Sequence, residues 1–369
     1  MEPATLQNPS ETTMRYHNFS AGPGTLPEEV LLEVRDELPV YKEVGASIME
    51  ISHRSAAYDA VEESARALLK QLLGLSANWH VLFLQGGASM QFHQVPLNFL
   101  PEGGSADYLN TGAWSTKALK EAKLLGMARE AASSADEDFT YIPDPKIWDL
   151  DPDAAYLHYT SNNTIYGTQF HKEPDAEVPL VCDASSDFLS HPIDLERYGL
   201  IYAGAQKNIG PAGVTVVLVE DGFLQQRNQP LPTMLDYGTH AAKRFNTPPV
   251  FAIYLVEKVL RWLDRQGGIK GIARINDQKA DLLYGRIDAS AFYRGTVEKA
   301  DRSQMNVTFR LPNDDLEAKF IEDAKKQRLV ALKGHRSVGG IRASIYNACS
   351  LESVEALVSF MDDFEQTKG

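Results

Sequence analysis

The sequence predicts an α/β fold, in which a large domain built on a mostly parallel sheet covered by helices precedes a smaller α+β domain. Short apolar runs alternate with stretches of helical periodicity, a pattern typical of strand–helix–strand crossover units. The chain has 369 residues, too many for one ordinary hydrophobic core. The alternation stops at Gly267–Gly268. We therefore expect an N-terminal tail and small-domain segment over 1–27, a large domain over 28–267 and a small domain over 268–369.

The individual elements follow from the spacing of apolar residues. Apolar residues recur at helical spacing over 28–38 and over 58–73, which predicts two helices. Pro27 precedes the first helix and Gly74 follows the second, and proline is common at the start of a helix as glycine is at its C-terminal cap. Strands of the large domain are predicted at 81–85, 106–110, 155–160, 178–183, 200–205 and 214–219. Its other helices are predicted between the first strand and Leu100, at 113–125 and at 249–265. The small domain is predicted to contain helices near 269–284, 314–327 and 351–366, and strands at 305–311 and 340–346.

Composition and charge exclude several classes of protein. The net charge of −14 argues against a nucleic-acid-binding protein, and it means that a small anionic ligand would need a local cluster of basic residues. No apolar run approaches the length of a membrane span, and the N terminus shows no secretory signal, so we expect a cytoplasmic protein with a frayed N-terminal tail. Cys182 and Cys349 form no CxxC pair, which argues against a disulfide framework and a zinc site.

Lys207 is the most informative residue of the sequence. It follows the apolar run 200–203 and lies in a loop that contains Gly210, Pro211 and Gly213. Burial between two strands lowers the pKa of a lysine, which makes the amine nucleophilic and able to form a Schiff base with an aldehyde. The alternative is a lysine at a strand end that reaches solvent along its aliphatic stem.

Asp183 ends the predicted strand 178–183, where a buried carboxylate needs a cationic or donor partner. The ring nitrogen of pyridoxal phosphate (PLP) is such a partner, because an aspartate keeps it protonated and makes the ring an electron sink. Alternatively, Asp183 caps the following turn at Ser185 and Ser186.

Gly86 and Gly87 follow the first strand of the large domain and precede a predicted helix, whose free N–H groups would point at a phosphate. Ala88 and Ser89 are the expected donors, with the Ser89 hydroxyl as a further one. A plain turn is the alternative. The segment lacks the P-loop pattern of nucleotide-binding proteins, and no GxGxxG follows a strand, so a dinucleotide is disfavoured.

Two further side chains follow predicted strands. Trp114 comes after 106–110 and is suited to stack on a planar ring, and the alternative is a tryptophan that packs in the core. Thr164 comes after 155–160 and could bind a ring oxygen or a phosphate, although its neighbours are typical of a turn.

Two His–Arg pairs, His53–Arg54 and His335–Arg336, stand beside Gly or small residues, and Arg342 follows the second pair. Arginine binds carboxylates and phosphates in a bidentate manner, and an adjacent histidine adds a donor. In an acidic protein these pairs indicate a dianionic substrate. Their alternative is a solvated surface.

These segments together resemble the phosphoserine aminotransferase family, whose members are fold-type I, PLP-dependent class-V aminotransferases. The resemblance covers nearly the whole chain, from residue 18 to the last predicted helix. It rests on the motifs NFSAGP, MEISHRS, GGASMQF, DASSDFLSHPID, YAGAQKNIGPAG, FNTPP and KGHRSVGGIRASIYNA. The chain differs from some members at Ser89 and Ala21, where those members have Arg and Ser.

The resemblance implies a role for each side chain of the cofactor site. Lys207 would bond covalently to PLP, Asp183 would bind its ring nitrogen and Trp114 would stack on its ring. The other cofactor contacts would be made by Ala88, Ser89, Thr164 and Gln206. A homodimer with shared active sites is also implied, in which the phosphate site is completed by a neighbouring subunit through Asn246 and Thr247.

The resemblance also implies the substrate contacts. Arg342 would bind the α-carboxylate of the substrate. The phosphate or side-chain carboxylate would be bound by His53, Arg54, His335 and Arg336.

The implied reaction is reversible amino transfer between L-glutamate and 3-phosphohydroxypyruvate, giving O-phospho-L-serine and 2-oxoglutarate in serine biosynthesis. A phosphorylated threonine precursor in vitamin B6 synthesis would be a second substrate. The alternatives are a cysteine desulfurase or alanine–glyoxylate aminotransferase of the same fold type, and a non-catalytic PLP-binding protein. A desulfurase needs a mobile nucleophilic cysteine, and an alanine–glyoxylate enzyme has no need of two His–Arg pairs.

Overall fold

The computed structural model describes residues 15–369, so most of the predicted N-terminal tail lies outside the described residues. The strands are β1 (His17–Asn18), β2 (Trp79–Leu84), β3 (Ser105–Asn110), β4 (Met127–Ser133), β5 (Leu157–Thr160), β6 (Leu180–Asp183), β7 (Tyr198–Gly204), β8 (Thr215–Glu220), β9 (Arg294–Gly295), β10 (Asn306–Arg310), β11 (Leu329–Val330) and β12 (Ile341–Ser344). The α-helices are α1 (Glu28–Glu37), α2 (Ala56–Leu73), α3 (Gly87–Phe99), α4 (Ala113–Ala122), α5 (Asp221–Gln225), α6 (Tyr237–Ala242), α7 (Val250–Arg265), α8 (Gly268–Asp288), α9 (Asp314–Lys326) and α10 (Leu351–Lys368).

A seven-stranded sheet in the order β2-β8-β7-β6-β5-β3-β4 forms the centre of the molecule. Strand β8 runs antiparallel to both of its neighbours, β2 and β7, while the other neighbouring strands pair in parallel. The predicted mostly parallel sheet is therefore confirmed. The parallel strands end at one edge of the sheet, where α/β proteins bind their ligands.

Both faces of this sheet are covered, which explains why its central strands are apolar along their whole length. Every residue of β7 is buried. Successive side chains of β2 belong to different hydrophobic clusters, with Val81 and Phe83 on one face and Leu82 and Leu84 on the other. Because the side chains alternate between the two faces of the sheet, one hydrophobic core lies between the sheet and helices α2 and α7. The other core lies between the opposite face and helices α3 and α4.

A separate hydrophobic core lies in the C-terminal part of the chain. Strands β9, β10 and β12 form an antiparallel sheet, and the core beneath it includes Phe309 and Phe320. The short strand β1 pairs with β11, and Phe19 belongs to the same core. These contacts support, as a proposal, the predicted division at 267/268 and the association of the N-terminal segment with the small domain.

Helix α8 joins the two parts of the chain. It begins at Gly267 and Gly268, which have φ angles of 87° and 64°, in the left-handed region that favours glycine. Its first turns place Ile272 in a large-domain core, whereas Leu283 lies in the small-domain core. None of the helices within residues 15–369 is long and apolar enough to span a bilayer.

Candidate active site

A cavity of about 240 Å³ lies at the carboxyl ends of the parallel strands β6 and β7. The N terminus of α3 and the loop after β7 close its other sides. Six of the predicted cofactor residues line this cavity: Ala88, Ser89, Trp114, Asp183, Gln206 and Lys207. The ends of several strands and one helix thus bring distant parts of the sequence together.

Lys207 lies in the loop after β7 and is partly buried, with its amine among the cavity-lining groups. Desolvation lowers the pKa of this amine to about 8, although the carboxylates of Asp183 and Asp187 oppose the shift. The nearby Arg342 guanidinium lowers the pKa further. The amine is therefore far more nucleophilic near neutral pH than an ordinary lysine.

Asp183 is the last residue of β6 and is only 4% exposed. Its Oδ1 accepts a hydrogen bond from the Ser185 backbone N–H at 3.0 Å, so the predicted turn cap is present. Burial raises the pKa of this carboxyl, while the Lys207 ammonium lowers it. The carboxylate therefore both caps the turn and lines the cavity.

The N terminus of α3 meets the cavity through a sharp backbone turn. Gly86 and Gly87 have φ angles of 94° and 65°, and a Cβ on Gly86 would lie 2.6 Å from Met90 Cβ. The first N–H groups of a helix have no partner within it, so those of Ala88 and Ser89 are free to bind a phosphate.

Trp114 connects the cavity to the cationic side of the site. Its ring centroid lies 5.6 Å from Lys207 Nζ, and its Nε1 donates a hydrogen bond to Thr164 Oγ1 at 3.0 Å. The Thr164 carbonyl in turn accepts a hydrogen bond from Arg342 Nη1 at 2.9 Å. Thr164 thus holds Trp114 and Arg342 in one network.

Four cationic or titratable side chains lie near one another beside the cavity. Burial lowers the pKa of His335, and the neighbouring charges of Arg342, Arg336 and Lys117 lower it further. Lys117 Nζ also lies 4.3 Å from the Trp114 ring centroid. The positive charge required for binding an anion is therefore concentrated next to Lys207.

The other predicted anion-binding residues are not among those that line the cavity. The His53 carbonyl accepts a hydrogen bond from Arg244, and the Arg54 side chain is exposed. Asn246 donates to Gln85 Oε1 at 2.7 Å, and Thr247 is exposed. Within residues 15–369 no described contact joins these four residues to Lys207 or Arg342.

Sequence reasoning missed two residues of the site. Lys117 lies three positions after Trp114 on α4, a helical spacing that places the two side chains on one face. Thr160 ends β5 and is in register with Asp183 at the end of β6, so the predicted strand ends contained the signal. Thr160 lines the cavity, and its buried hydroxyl has no hydrogen-bond partner among the described residues.

The residues of the cavity fit PLP in chemical type. Lys207 provides an amine for its aldehyde, Asp183 a carboxylate for its ring nitrogen, and α3 backbone donors for its phosphate. Trp114 provides a flat apolar surface. The unpartnered hydroxyl of Thr160 adds a polar group that a bound ligand could satisfy.

Known proteins provide an independent comparison. A family model described as "Aminotransferase class-V" matches residues 16–357. The phosphoserine aminotransferase of Desulfosudis oleivorans is 54% identical over 360 residues, which cover 96% of this chain and 99% of that protein. The chain belongs to the phosphoserine aminotransferase family of class-V aminotransferases. The Bacillus subtilis member is 49% identical, covering 95% of this chain and 99% of its own.

Solved structures of the family agree with the fold. The phosphoserine aminotransferase from Bacillus circulans subsp. alkalophilus has a TM-score of 0.94 at 51% identity, covering 96% of this chain and 99% of that one. The PLP-bound phosphoserine aminotransferase from Trichomonas vaginalis has a TM-score of 0.91 at 38% identity, covering 94% and 100%. An alanine–glyoxylate aminotransferase from Nostoc sp. is only 16% identical at a TM-score of 0.75, a likeness of fold alone. Membership of this family makes the chain a PLP-dependent aminotransferase.

Proposed function

We propose that this chain catalyses reversible amino transfer between L-glutamate and 3-phosphohydroxypyruvate, which gives O-phospho-L-serine and 2-oxoglutarate. The observation that carries the proposal is the placement of Lys207 and Asp183 in one cavity, directly beside a cluster of cations in a protein of net charge −14. Relatives about half identical over nearly their full length have the same name and support the substrate pair.

The cofactor-binding residues divide the chemical work. Bound PLP supplies an aldehyde that links to amines and a ring that stabilises negative charge at the substrate α-carbon. Lys207 Nζ would take the proton from that α-carbon and deliver it to the carbon that carried the aldehyde oxygen, which its pKa of about 8 permits near neutral pH. Asp183 holds a proton at the ring nitrogen. Ala88, Ser89, Thr164 and Gln206 orient the cofactor, and Trp114 covers its ring.

The cationic residues select the substrate. Arg342 binds the α-carboxylate, because it lies close enough to Lys207 to lower the pKa of that amine. His335, Arg336 and Lys117 then face the distal anion, which is a phosphate in phosphoserine and a carboxylate in glutamate. Several separate hydrogen-bond donors adapt to anions of different shape better than a single bidentate arginine does. The same three side chains therefore serve both substrates.

A homodimer completes the site in this proposal. His53, Arg54, Asn246 and Thr247 have no described contact with Lys207 in their own chain, which supports their action in the site of a second copy. There, the His–Arg pair would bind the distal anion, and the Asn–Thr pair would bind the cofactor phosphate. We further propose a cytoplasmic location and a second substrate, the phosphorylated threonine precursor of vitamin B6.

Two alternative activities are disfavoured by the described side chains. Cys182 and Cys349 are 2% and 3% exposed, and burial raises the pKa of both thiols, so neither is the mobile nucleophile that a desulfurase needs. An alanine–glyoxylate enzyme would have small, singly charged substrates and no use for the cluster formed by Lys117, His335, Arg336 and Arg342.

Turnover of a substrate panel tests the proposal. The PLP-loaded protein is expected to form 2-oxoglutarate from L-glutamate with 3-phosphohydroxypyruvate, and Lys207→Ala is expected to abolish this turnover because it removes the amine that moves the α-proton. The rate is compared with that for L-alanine and glyoxylate. Faster turnover of the alanine–glyoxylate pair would contradict the substrate assignment, and full activity of Lys207→Ala would contradict the role of Lys207.

A further inference from the structure

Lys279 lies in the middle of α8 and is completely buried, with 0% of its surface exposed. Its Nζ donates to three backbone carbonyls, those of Ile345, Tyr346 and Cys349, at 2.9, 2.8 and 3.0 Å. These partners use all three donors of an ammonium group. No carboxylate among residues 15–369 pairs with it, so its charge is balanced by carbonyl dipoles alone.

The three carbonyls belong to the loop that follows β12, the strand that carries Arg342. Two of them precede Asn347 and one follows it. The ammonium therefore holds the loop on both sides of Asn347. A methionine would occupy similar space without the cost of a buried unpaired charge, but it would leave three buried carbonyls without their donor. The distinctive effect of the lysine is to hold these three carbonyls in place.

Asn347 connects this loop to the turn that carries Lys207. Its backbone N–H donates to Asn208 Oδ1 at 3.0 Å, and Asn208 Nδ2 donates to the Ser186 carbonyl at 3.0 Å. Asn208 is the residue after Lys207, and Ser186 lines the cavity. Any displacement of the loop would therefore be transmitted to the residue next to the amine.

A second side chain of α8 strengthens the same connection. Asn276, one helical turn before Lys279, donates to Asn347 Oδ1 at 2.9 Å and to the Ser190 carbonyl at 3.1 Å. Asn347 Nδ2 donates to the Leu189 carbonyl at 3.1 Å. All of these groups are buried, so water does not compete for their hydrogen bonds.

We propose that Lys279 is a positioning residue, which holds the 345–349 loop so that Arg342 and the Lys207 turn keep one relative geometry. The proposal rests on the function proposed above for Lys207 and Arg342. Arg342 binds the substrate and Lys207 moves its α-proton. The distance between Arg342 and Lys207 therefore determines whether the α-proton of the bound substrate lies within reach of Lys207 Nζ. Lys279 touches neither substrate nor cofactor and acts through Asn347 and Asn208.

A double-mutant cycle with Lys279→Met and Asn208→Ala tests this role. Each single variant is expected to lower kcat about 10²-fold with cofactor content unchanged, because small misplacements of reacting groups have effects of this size. The double variant is expected to lose little more than the larger single effect, since both changes break one connection. The proposal would be overturned if the fall in kcat of the double variant equals the product of the two single falls. It would also be overturned if the kcat of Lys279→Met stays within about twofold of the wild-type value.

Lys258→Met is the matched control. Lys258 is also a buried lysine, 5% exposed, but it pairs with Glu33 and Glu37 on α1. We expect it to lower the denaturant midpoint as Lys279→Met does and to leave kcat and KM unchanged. An equal loss of kcat in both variants would show that Lys279 is merely structural and would overturn the proposal.

A readout without substrate separates this inference from the proposed function. The pH midpoint for capture of PLP by the cofactor-free protein reports the environment of Lys207. It is expected to move upward in Lys279→Met, as the turn loosens and the amine is hydrated, and to stay unchanged in Lys258→Met. An unchanged pH midpoint in Lys279→Met would overturn the inference about Lys279, even if the wild type acts on phosphoserine. Conversely, a wild type that does not act on phosphoserine would refute only the proposed substrate.

Asn276→Ala replaces Lys279→Met if the latter does not fold. It leaves the ammonium and its three carbonyls intact and removes the second support of Asn347. We expect a smaller fall in kcat, about tenfold, that is again non-additive with Asn208→Ala. Additive effects in this cycle would overturn the proposed connection.

Discussion

Lys207 owes its reactivity to four neighbouring influences of opposite sign. Desolvation and the Arg342 charge lower the pKa of its amine, while the carboxylates of Asp183 and Asp187 raise it, and the balance is a value of about 8. A lower value would leave too little ammonium to deliver a proton, and an unperturbed value near 10.5 would leave little free amine. The surrounding charges thus suit an amine that takes a proton from one atom and delivers it to another.

The rate at which the cofactor-free protein captures PLP should follow this titration. Only the neutral amine attacks an aldehyde, so the rate is expected to rise with pH and level off above about pH 8. Asp187→Asn removes a charge that raises the pKa of Lys207, so its midpoint is expected at lower pH. Stopped-flow absorbance measures both profiles. A rate that continues to rise to the ordinary lysine value of 10.5 would contradict the perturbed environment.

Individual site residues could be predicted where they end a strand. Lys207, Asp183 and Trp114 each follow an apolar run, and the structure brings all three to one cavity. Lys279 could not be found in this way, because a lysine within a helix normally reaches solvent. The available signal was its place between Ile272 and Leu283 at helical spacing, on the face that is buried.

Among the elements, sequence periodicity located every predicted strand of the central sheet to within a few residues, but it missed β4. The β4 sequence, Met127–Ser133, is rich in alanine and contains no β-branched residue, and Met127 is exposed. As an edge strand, β4 is stabilised by pairing with β3 rather than by its own side chains. Helix α4 ends at Ala122 rather than at 125, because the chain turns at Lys123 towards this strand.

Helix α4 contributes both an aromatic ring and a cation to the site. Trp114 is in its first turn and Lys117 in the next, so both side chains project from one face beside the cavity. The helix backbone therefore determines the distance between the ring that we propose to cover the cofactor and the charge that we propose to meet the distal anion.

Lys117→Met tests this contribution of α4. The variant is expected to lower kcat/KM for O-phospho-L-serine about fivefold, equivalent to about 1 kcal/mol, because one exposed charge near a bound dianion has an effect of that size. Lys120→Met is the control, since it makes the same change one turn further along the helix, away from the Trp114 ring. Equal effects of the two variants in steady-state kinetics would show that only the overall charge of the protein matters.

For the molecule as a whole, the contrast between net charge and local charge is the main functional feature. The protein carries a net charge of −14, and yet three elements bring basic side chains to one place. Helix α4 supplies Lys117, the loop that follows β11 supplies His335 and Arg336, and strand β12 supplies Arg342. The sequence indicated a basic cluster from its two His–Arg pairs, but only the fold separates them. Long-range topology decides which pair joins Lys207, and no local pattern contains that information.

We propose that Lys207 of one chain acts on a substrate whose distal anion is bound in part by Arg54 of a second chain. Subunit complementation between Lys207→Ala and Arg54→Ala tests it most directly, by measuring formation of O-phospho-L-serine from L-glutamate and 3-phosphohydroxypyruvate. Each variant alone is expected to be nearly inactive. Co-refolded mixtures are expected to recover about one quarter of the wild-type rate, because half of the dimers are mixed and each has one intact site. Mixtures that stay as inactive as the separate variants would contradict the claim.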